Sequence, residues 1–311
     1  MVGAVALESG TSESRFAMSE FECNIRDVAL IFEGGGMRAS YSCAIAAALL
    51  KNHLYFPHVY GVSAGSSNAV NYVSRDIART HDSFTKLVLD PEFGGTRSFL
   101  EHKGFFNAHY LYDEAGLPDS TLPFDYRTFA ANPAQVTVAA FERDTGKTVY
   151  RTKDDWDSTA DVMNSVRASS TLPIVMPPTT INDRVCYDGG LAEDHGMLVS
   201  QARRDGFERF FVVRTRPKGY RKSEGGNAFV KAFFWHRPKM RDALDRWGRE
   251  YNELCDELER MERTGQALVV YADTVTAENS STDYELLEEN YRMGTDQAKR
   301  DLEKWLRFLG L

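Results

Sequence analysis

The chain is poor in cysteine. The four it has among 311 residues, Cys23, Cys43, Cys186 and Cys255, lie far apart, with no C-x-x-C pair and no histidine at metal-ligand spacing. A disulfide framework or a zinc site is therefore not legible, and no metal is expected; the thiols read as reduced, as in a cytoplasmic protein. No run approaches the ~18 apolar residues of a spanning helix, so any membrane contact is expected to be peripheral. Residues 1–20 have little basic character, and their apolar stretch, Val2 to Leu7, is shorter than a signal-peptide core of ~7–15 residues. Residues 1–22 are expected to form a flexible start. Positive charge is also in deficit: the formal net charge is −8, which argues against nucleic acid as the main partner. What is present is 42% hydrophobic and 26% charged residues, the profile of a globular protein with a sizeable core.

Short apolar runs set the rhythm. Val28–Phe32 ends at Gly34-Gly35-Gly36, and an Ala- and Leu-rich helix is predicted over 38–52. His58–Val62 is a second strand, followed by a helix over Ser66–Arg79. Strand, turn and helix in alternation predict an α/β fold with a mainly parallel sheet. Residues 80–134 are irregular and rich in Gly, Pro and aromatics. Val136–Phe141, Thr148–Tyr150, Arg184–Tyr187 and Arg209–Val213 read as strands, and Thr159–Ala168 as a helix. After Ser223–Asn227 the pattern becomes helical over 228–264 and 283–308, with one strand at Ala267–Tyr271. The chain thus divides into a start (1–22), an α/β domain (23–222) and a mostly helical C-terminal extension (223–311).

Three short motifs carry chemistry. Gly61-Val62-Ser63-Ala64-Gly65 is a G-x-S-x-G pattern between a strand and a helix, the setting of a nucleophilic serine on a tight turn, with small residues two before and two after it. Gly34-Gly35-Gly36-Met37-Arg38 follows the first strand, where backbone amides can stabilise an oxyanion. Gly34-x-Gly36-x-x-Ala39 also fits a relaxed dinucleotide fingerprint, but residues 54–60 hold no acid to bind a ribose and no Gly-Lys-Ser/Thr is present. No cofactor is expected. Arg38 reads either as a surface ion-pair partner or as support for this loop. Asp188-Gly189-Gly190 ends a strand; it reads as a plain turn or as a carboxylate presented at the same sheet edge. None of the seven histidines stands in a recognisable triad context. His195 lies closest in sequence to Asp188 and can be a polar loop residue or a participant.

Together, G-G-G-x-R, G-x-S-x-G and D-G-G resemble the patatin-like phospholipases over roughly residues 26–222. Arg167–Pro173, Thr215–Lys222 and the helical tail resemble the bacterial cytoplasmic branch. The resemblance implies a three-layer α/β fold and a Ser–Asp dyad without histidine. Ser63 would be the nucleophile and Asp188 the base. Gly34, Gly35, Gly36, Met37 and Arg38 would form the oxyanion site, with Gly61, Gly65, Gly189 and Gly190 as motif support. Two positions depart from the family pattern: Ala39 stands where glycine is usual, and Glu193-Asp194-His195-Gly196 replaces a proline-containing turn.

The implied substrate is a fatty-acyl ester of a lipid, a phospholipid or lysophospholipid. Phe99, Leu100, Phe105, Phe106, Tyr110, Leu111 and Tyr112 are candidates for an acyl channel or for packing of a cap. Phe229–Trp235 can touch a membrane surface or pack on its own domain. The basic stretch Arg214–Lys222 can bind anionic headgroups or form a solvated loop. A non-catalytic lipid-binding or regulatory module on the same fold is the alternative function.

Overall fold

The structure, a computed structural model, describes residues 21–225 and 228–311. The expected flexible start lies outside the described residues except for Phe21 and Glu22, as do Gly226 and Asn227. Eight strands form one sheet: β1 (Val28–Phe32), β2 (His58–Val62), β3 (Gln135–Glu142), β4 (Thr148–Thr152), β5 (Thr179–Ile181), β6 (Arg184–Asp188), β7 (Arg209–Val213) and β8 (Ala267–Val270). Their order is β5-β6-β3-β2-β1-β7-β8, with β4 also on β3. The run from β3 to β8 is parallel, whereas β4, β5 and β6 pair antiparallel.

The helices are α1 (Ala39–Lys51), α2 (Ala64–Val73), α3 (Ile77–Asp82), α4 (Thr96–Leu100), α5 (Tyr126–Ala131), α6 (Thr159–Ser170), α7 (Val199–Arg204), α8 (Ala228–Phe233), α9 (Pro238–Arg263) and α10 (Tyr284–Leu309). They cover both faces of the sheet. Val28, Leu30 and Phe32 of β1 pack with Ile45 and Leu49 of α1 and Trp305 of α10. Ala29 and Ile31 face the other way, toward Leu254 and Leu258 of α9. Burial on both faces explains why β1 is a continuous apolar run rather than an alternating one.

Two expected helices are each divided. The helix over Ser66–Arg79 stops at Val73, because Arg75 takes a positive φ of 54° and Asp76 caps a new helix by accepting from the Arg79 amide at 2.8 Å. The helical stretch 228–264 breaks before Pro238, which starts α9 where its missing N–H costs nothing. β5 and α7 are too short to stand out in the sequence. The C-terminal region is built into the molecule: β8 extends the sheet beside β7, and α10 lies on α1, close enough that a side chain at Gly294 would meet the Tyr41 carbonyl.

Candidate active site

Ser63 joins β2 to α2 with φ 55° and ψ −131°, the strained turn that lifts a nucleophile off a sheet edge. A Cβ at Gly61 would overlap the Gly65 carbonyl, and one at Gly65 would overlap the Phe32 carbonyl, so both positions must be glycine. The turn is held from two sides. The Ser63 amide donates to Ser169 Oγ at 2.9 Å, and the Ser66 hydroxyl donates to the Ser63 carbonyl.

Strand register brings Asp188 to this turn. β2 follows β3 as far as the pair Val62–Ala139. β4 takes the other edge of β3, so β6 must approach on the β2 side, where Asp188 pairs with Ala140. The ends of β2 and β6 therefore meet head to head. Asp188 Oδ1 accepts from the Gly190 amide at 2.7 Å, while Oδ2 is buried with no hydrogen-bond partner among the described residues. Burial raises the carboxyl above its ordinary value; the Ser63 hydroxyl, the Gly190 amide and the Lys222 charge oppose the rise. Ser63 is thus within interaction range of the carboxylate but outside strict hydrogen-bond geometry. Ser63 makes no hydrogen bond to any of the seven histidines.

The glycine loop is braced, and its amides divide into used and unused. The Gly34 amide donates to the Gly196 carbonyl at 3.3 Å, and the Thr215 hydroxyl donates to the Gly34 carbonyl at 2.8 Å. The Met37 amide donates to the Asn279 carbonyl at 3.0 Å, and the Arg38 amide to Gly35 at 3.3 Å. Among the described residues nothing accepts from the amides of Gly35 and Gly36. Gly36 has φ +54°, and a side chain there would also overlap the Asn279 carbonyl. Arg38 forms no ion pair among the described residues: its side chain is buried and Nε has no partner. Burial, and next the like charge of Arg216, pull its guanidinium down to about 10.

Beneath the loop, Glu33 is buried. Its carboxylate accepts from Arg214 Nε at 3.2 Å, Tyr251 Oη at 2.6 Å and the Thr215 amide at 2.8 Å. Desolvation pushes Glu33 up, but Arg214, Tyr251 and Thr215 outweigh it and leave it below its ordinary value. Sequence reasoning missed this group, although an acid directly before three glycines at a strand end was the available signal. It also missed Ser169, which stands within Arg167–Pro173.

An apolar cleft of about 800 Å³, its open mouth included, begins at Gly36, Met37, Ser63 and Ala64 and continues between Phe84, Phe93, Leu122, Met163 and Met176. Of the acyl-channel candidates, Phe106, Leu111 and Tyr112 line it. Phe105 packs edge-on against Phe106, and Tyr110 turns its hydroxyl to Asp90 and Thr121. Phe99 and Leu100 sit outside it: they are 48% and 78% exposed on the short α4 and border a separate groove with Phe233.

Other candidates find different surroundings. His195 Nε2 lies 3.0 Å from Glu250 Oε2, on a groove apart from the Ser63 cleft, and burial lowers its imidazole below the ordinary value. In Phe229–Trp235 only Phe234, just after α8, is buried, edge-on against Tyr187; Phe229, Phe233 and Trp235 are exposed, and six-residue α8 itself buries no side chain. The basic stretch is not a simple solvated loop. Arg214 pairs with Glu33, Lys218 with Glu262, and Arg221 with Asp256 and Glu259, whereas Arg216 and Lys222 rest on aromatic rings. Among the described residues no group of His, Cys, Asp and Glu is arranged to hold a metal ion, and no helix is long and apolar enough to cross a membrane.

This sheet with helices on both faces and a serine on a strand-to-helix turn defines a mixed α/β protein with a mainly parallel sheet. The family model described as patatin-like phospholipase matches residues 30–202, more than half of the chain, and the chain belongs to that family. A second model, a domain of unknown function (DUF6363), matches residues 237–310. No curated protein sequence matches. Among solved structures, VipD from Legionella pneumophila is similar with a TM-score of 0.47 at 12% identity, over 89% of this chain and 67% of VipD.

Proposed function

We propose that the chain is a serine acyl hydrolase, a phospholipase A or lysophospholipase that cleaves fatty-acyl esters of lipids through Ser63 and Asp188. One observation carries the reading: an elbow serine opens onto an apolar cleft, and beside it a buried carboxylate has one oxygen, Asp188 Oδ2, without a partner among the described residues. In this mechanism the acyl chain occupies the cleft. Ser63 Oγ attacks the ester carbonyl carbon, and its proton passes to Asp188 Oδ2. The oxyanion takes the amides of Gly35 and Gly36, the two left without an acceptor; Arg38 adds positive potential, and Met37 and Gly34 hold the loop through their own amide bonds. The ester C–O bond then breaks, and Asp188 returns the proton to the leaving alkoxide. Water attacks the acyl-enzyme, gives its proton to Asp188, and the fatty acid leaves as Ser63 is reprotonated.

Peripheral contact with a lipid surface belongs to the same reading. Exposed Phe99, Leu100 and Phe233 border one groove, and Phe229 and Trp235 extend the apolar exposure on and just beyond α8. Phe233→Ser should weaken cosedimentation with phospholipid vesicles and leave hydrolysis of a soluble ester unchanged; undiminished cosedimentation would remove this surface from the proposal. A reducing, cytoplasmic setting is proposed from the four unpaired thiols, three of them buried.

A fluorophosphonate probe tests the chemistry. It should label the wild type rapidly at Ser63, and Ser63→Ala should lose both labelling and hydrolysis of medium-chain p-nitrophenyl esters while remaining folded. A folded wild type that neither labels nor hydrolyses would point to a lipid-binding module instead.

A further inference from the structure

Lys222 is held in an unusual way for a lysine at the edge of this site. Its backbone is clamped to α9: the Lys222 amide donates to Asn252 Oδ1 at 2.8 Å, and Asn252 Nδ2 donates back to the Lys222 carbonyl at 3.0 Å. Its Nζ lies 3.8 Å from the ring centre of Trp247 and 3.7 Å from that of Tyr251. Among the described residues no carboxylate lies within ion-pair distance of it. Both rings belong to the region matched by the domain of unknown function.

The two rings reach opposite halves of the site. Trp247 Nε1 comes to 4.0 Å from where a side chain at Gly190 would begin, and the Gly190 amide is the one bonded to Asp188. Tyr251 Oη donates to Glu33, directly before the glycine loop. The ammonium therefore lies between the end of β1 and the end of β6. The charged and titratable groups that face it are Glu33, Asp188, Arg38, His195, Tyr251 and Cys255. Of the two carboxylates, Glu33 is already neutralised by Arg214 and filled with donors, while Asp188 keeps an oxygen without a partner.

We infer that Lys222 is a positioning residue for the proposed base: its ammonium, seated on Trp247 and Tyr251 instead of on a carboxylate, keeps Asp188 ionised in spite of its burial. The inference rests on the Ser63–Asp188 reading. Aromatic faces attract a cation without cancelling its charge, so its field remains available to a neighbouring anion. A bonded carboxylate would have neutralised it. An opposite charge favours the ionised form of an acid, and Lys222 is among the groups that hold Asp188 down against desolvation. Burial in turn pulls the Lys222 ammonium down to about 7, against the opposing pull of Glu33 and Asp188. The charge is thus present at acid pH, where a carboxylate base begins to take up protons, and fades above neutrality, where the base needs no help.

The test is the pH profile of kcat/KM for a neutral ester, p-nitrophenyl butyrate, with the full chain, supported by the pH dependence of fluorophosphonate labelling of Ser63. Lys222→Met should move the acid limb upward by about one pH unit, a roughly tenfold loss below the limb with a much smaller change on the plateau. Lys222→Arg should keep the limb near its wild-type position. Trp247→Leu, which removes one ring, should shift the limb in the same direction by less, and it serves in place of Lys222→Met if that variant does not fold. A uniform loss at every pH with the limb unmoved would make Lys222 a packing residue and overturn the inference. Asp188→Asn separates the two readings. If it is inactive while the Lys222→Met limb is unmoved, the dyad stands and the role of Lys222 falls; if it is active, both fall.

Discussion

The α/β region of residues 30–202 and the C-terminal region of residues 237–310 meet at the same site but contribute different things. The first carries every group proposed to react: Ser63 at the end of β2, Asp188 at the end of β6, and the free amides of Gly35 and Gly36 after β1. The second carries none of them. It supplies the Asn279 carbonyl that fixes Met37, the Asn290 amide that donates to Ser40 Oγ at 2.7 Å, the Tyr251 hydroxyl on Glu33, and the rings under Lys222. The lesson is a division of labour: one region presents the groups proposed to react on tight turns, and the other packs against those turns and holds the charged groups beside them. Reacting groups held this way need less reorganisation when negative charge develops.

The sharpest way to break this comparison is to exchange the base. Asp188→Asn should lower kcat/KM by about 10²–10⁴-fold, whereas His195→Gln should remain substantially active. A folded, inactive His195→Gln beside an active Asp188→Asn would move the chemistry to the wrong groove. In the wild type the acid limb should lie above the ordinary carboxylate value, because burial raises the Asp188 pKa. A limb at or below that value would contradict a buried base.

Next in size is the charge under the loop. Glu33→Gln leaves Arg214 buried without its counter-ion and should cost about 3–5 kcal/mol in denaturant unfolding. Since the folded state holds Glu33 below its ordinary value, its contribution is present above the unfolded pKa and is lost as pH falls through the folded one. An unchanged unfolding midpoint at pH 7 would show that the network is not structural.

Gly36→Ala tests where the two regions touch in the loop. The backbone is left-handed and the new methyl would overlap the Asn279 carbonyl, so kcat should fall about 10²-fold, with KM changed far less. If only KM rose, the loop would bind substrate instead of the oxyanion. The smallest effect is expected at Asn290. Asn290→Ala removes the buried bond to Ser40 and a longer one to the Arg38 carbonyl, for a loss of about 1–3 kcal/mol. A kcat loss as large as that of Gly36→Ala, without a change in stability, would mean that α10 does more than brace.

All strands but the three-residue β5, and the three motifs, were legible because they are local. Val28–Phe32 is apolar throughout, since both of its faces are buried; Gly61 and Gly65 flank a serine because the turn leaves no room for a side chain. A handful of neighbouring residues is enough to dictate such backbone geometry. Sequence reasoning did less well with whatever depends on distant chain. Phe99 and Phe106 look alike in the sequence, yet one is half exposed and the other lines the cleft. Arg214 and Lys222 belong to one basic stretch, yet one is neutralised by Glu33 and the other is seated on two rings. Residue order alone determined on which turns Ser63, Asp188 and the three glycines would stand. Only the tertiary structure decided which amides stay free, which carboxylate keeps an unpartnered oxygen and which cation is seated on rings instead of on a carboxylate, because burial and pairing are set by segments that meet only after the sheet has closed its register.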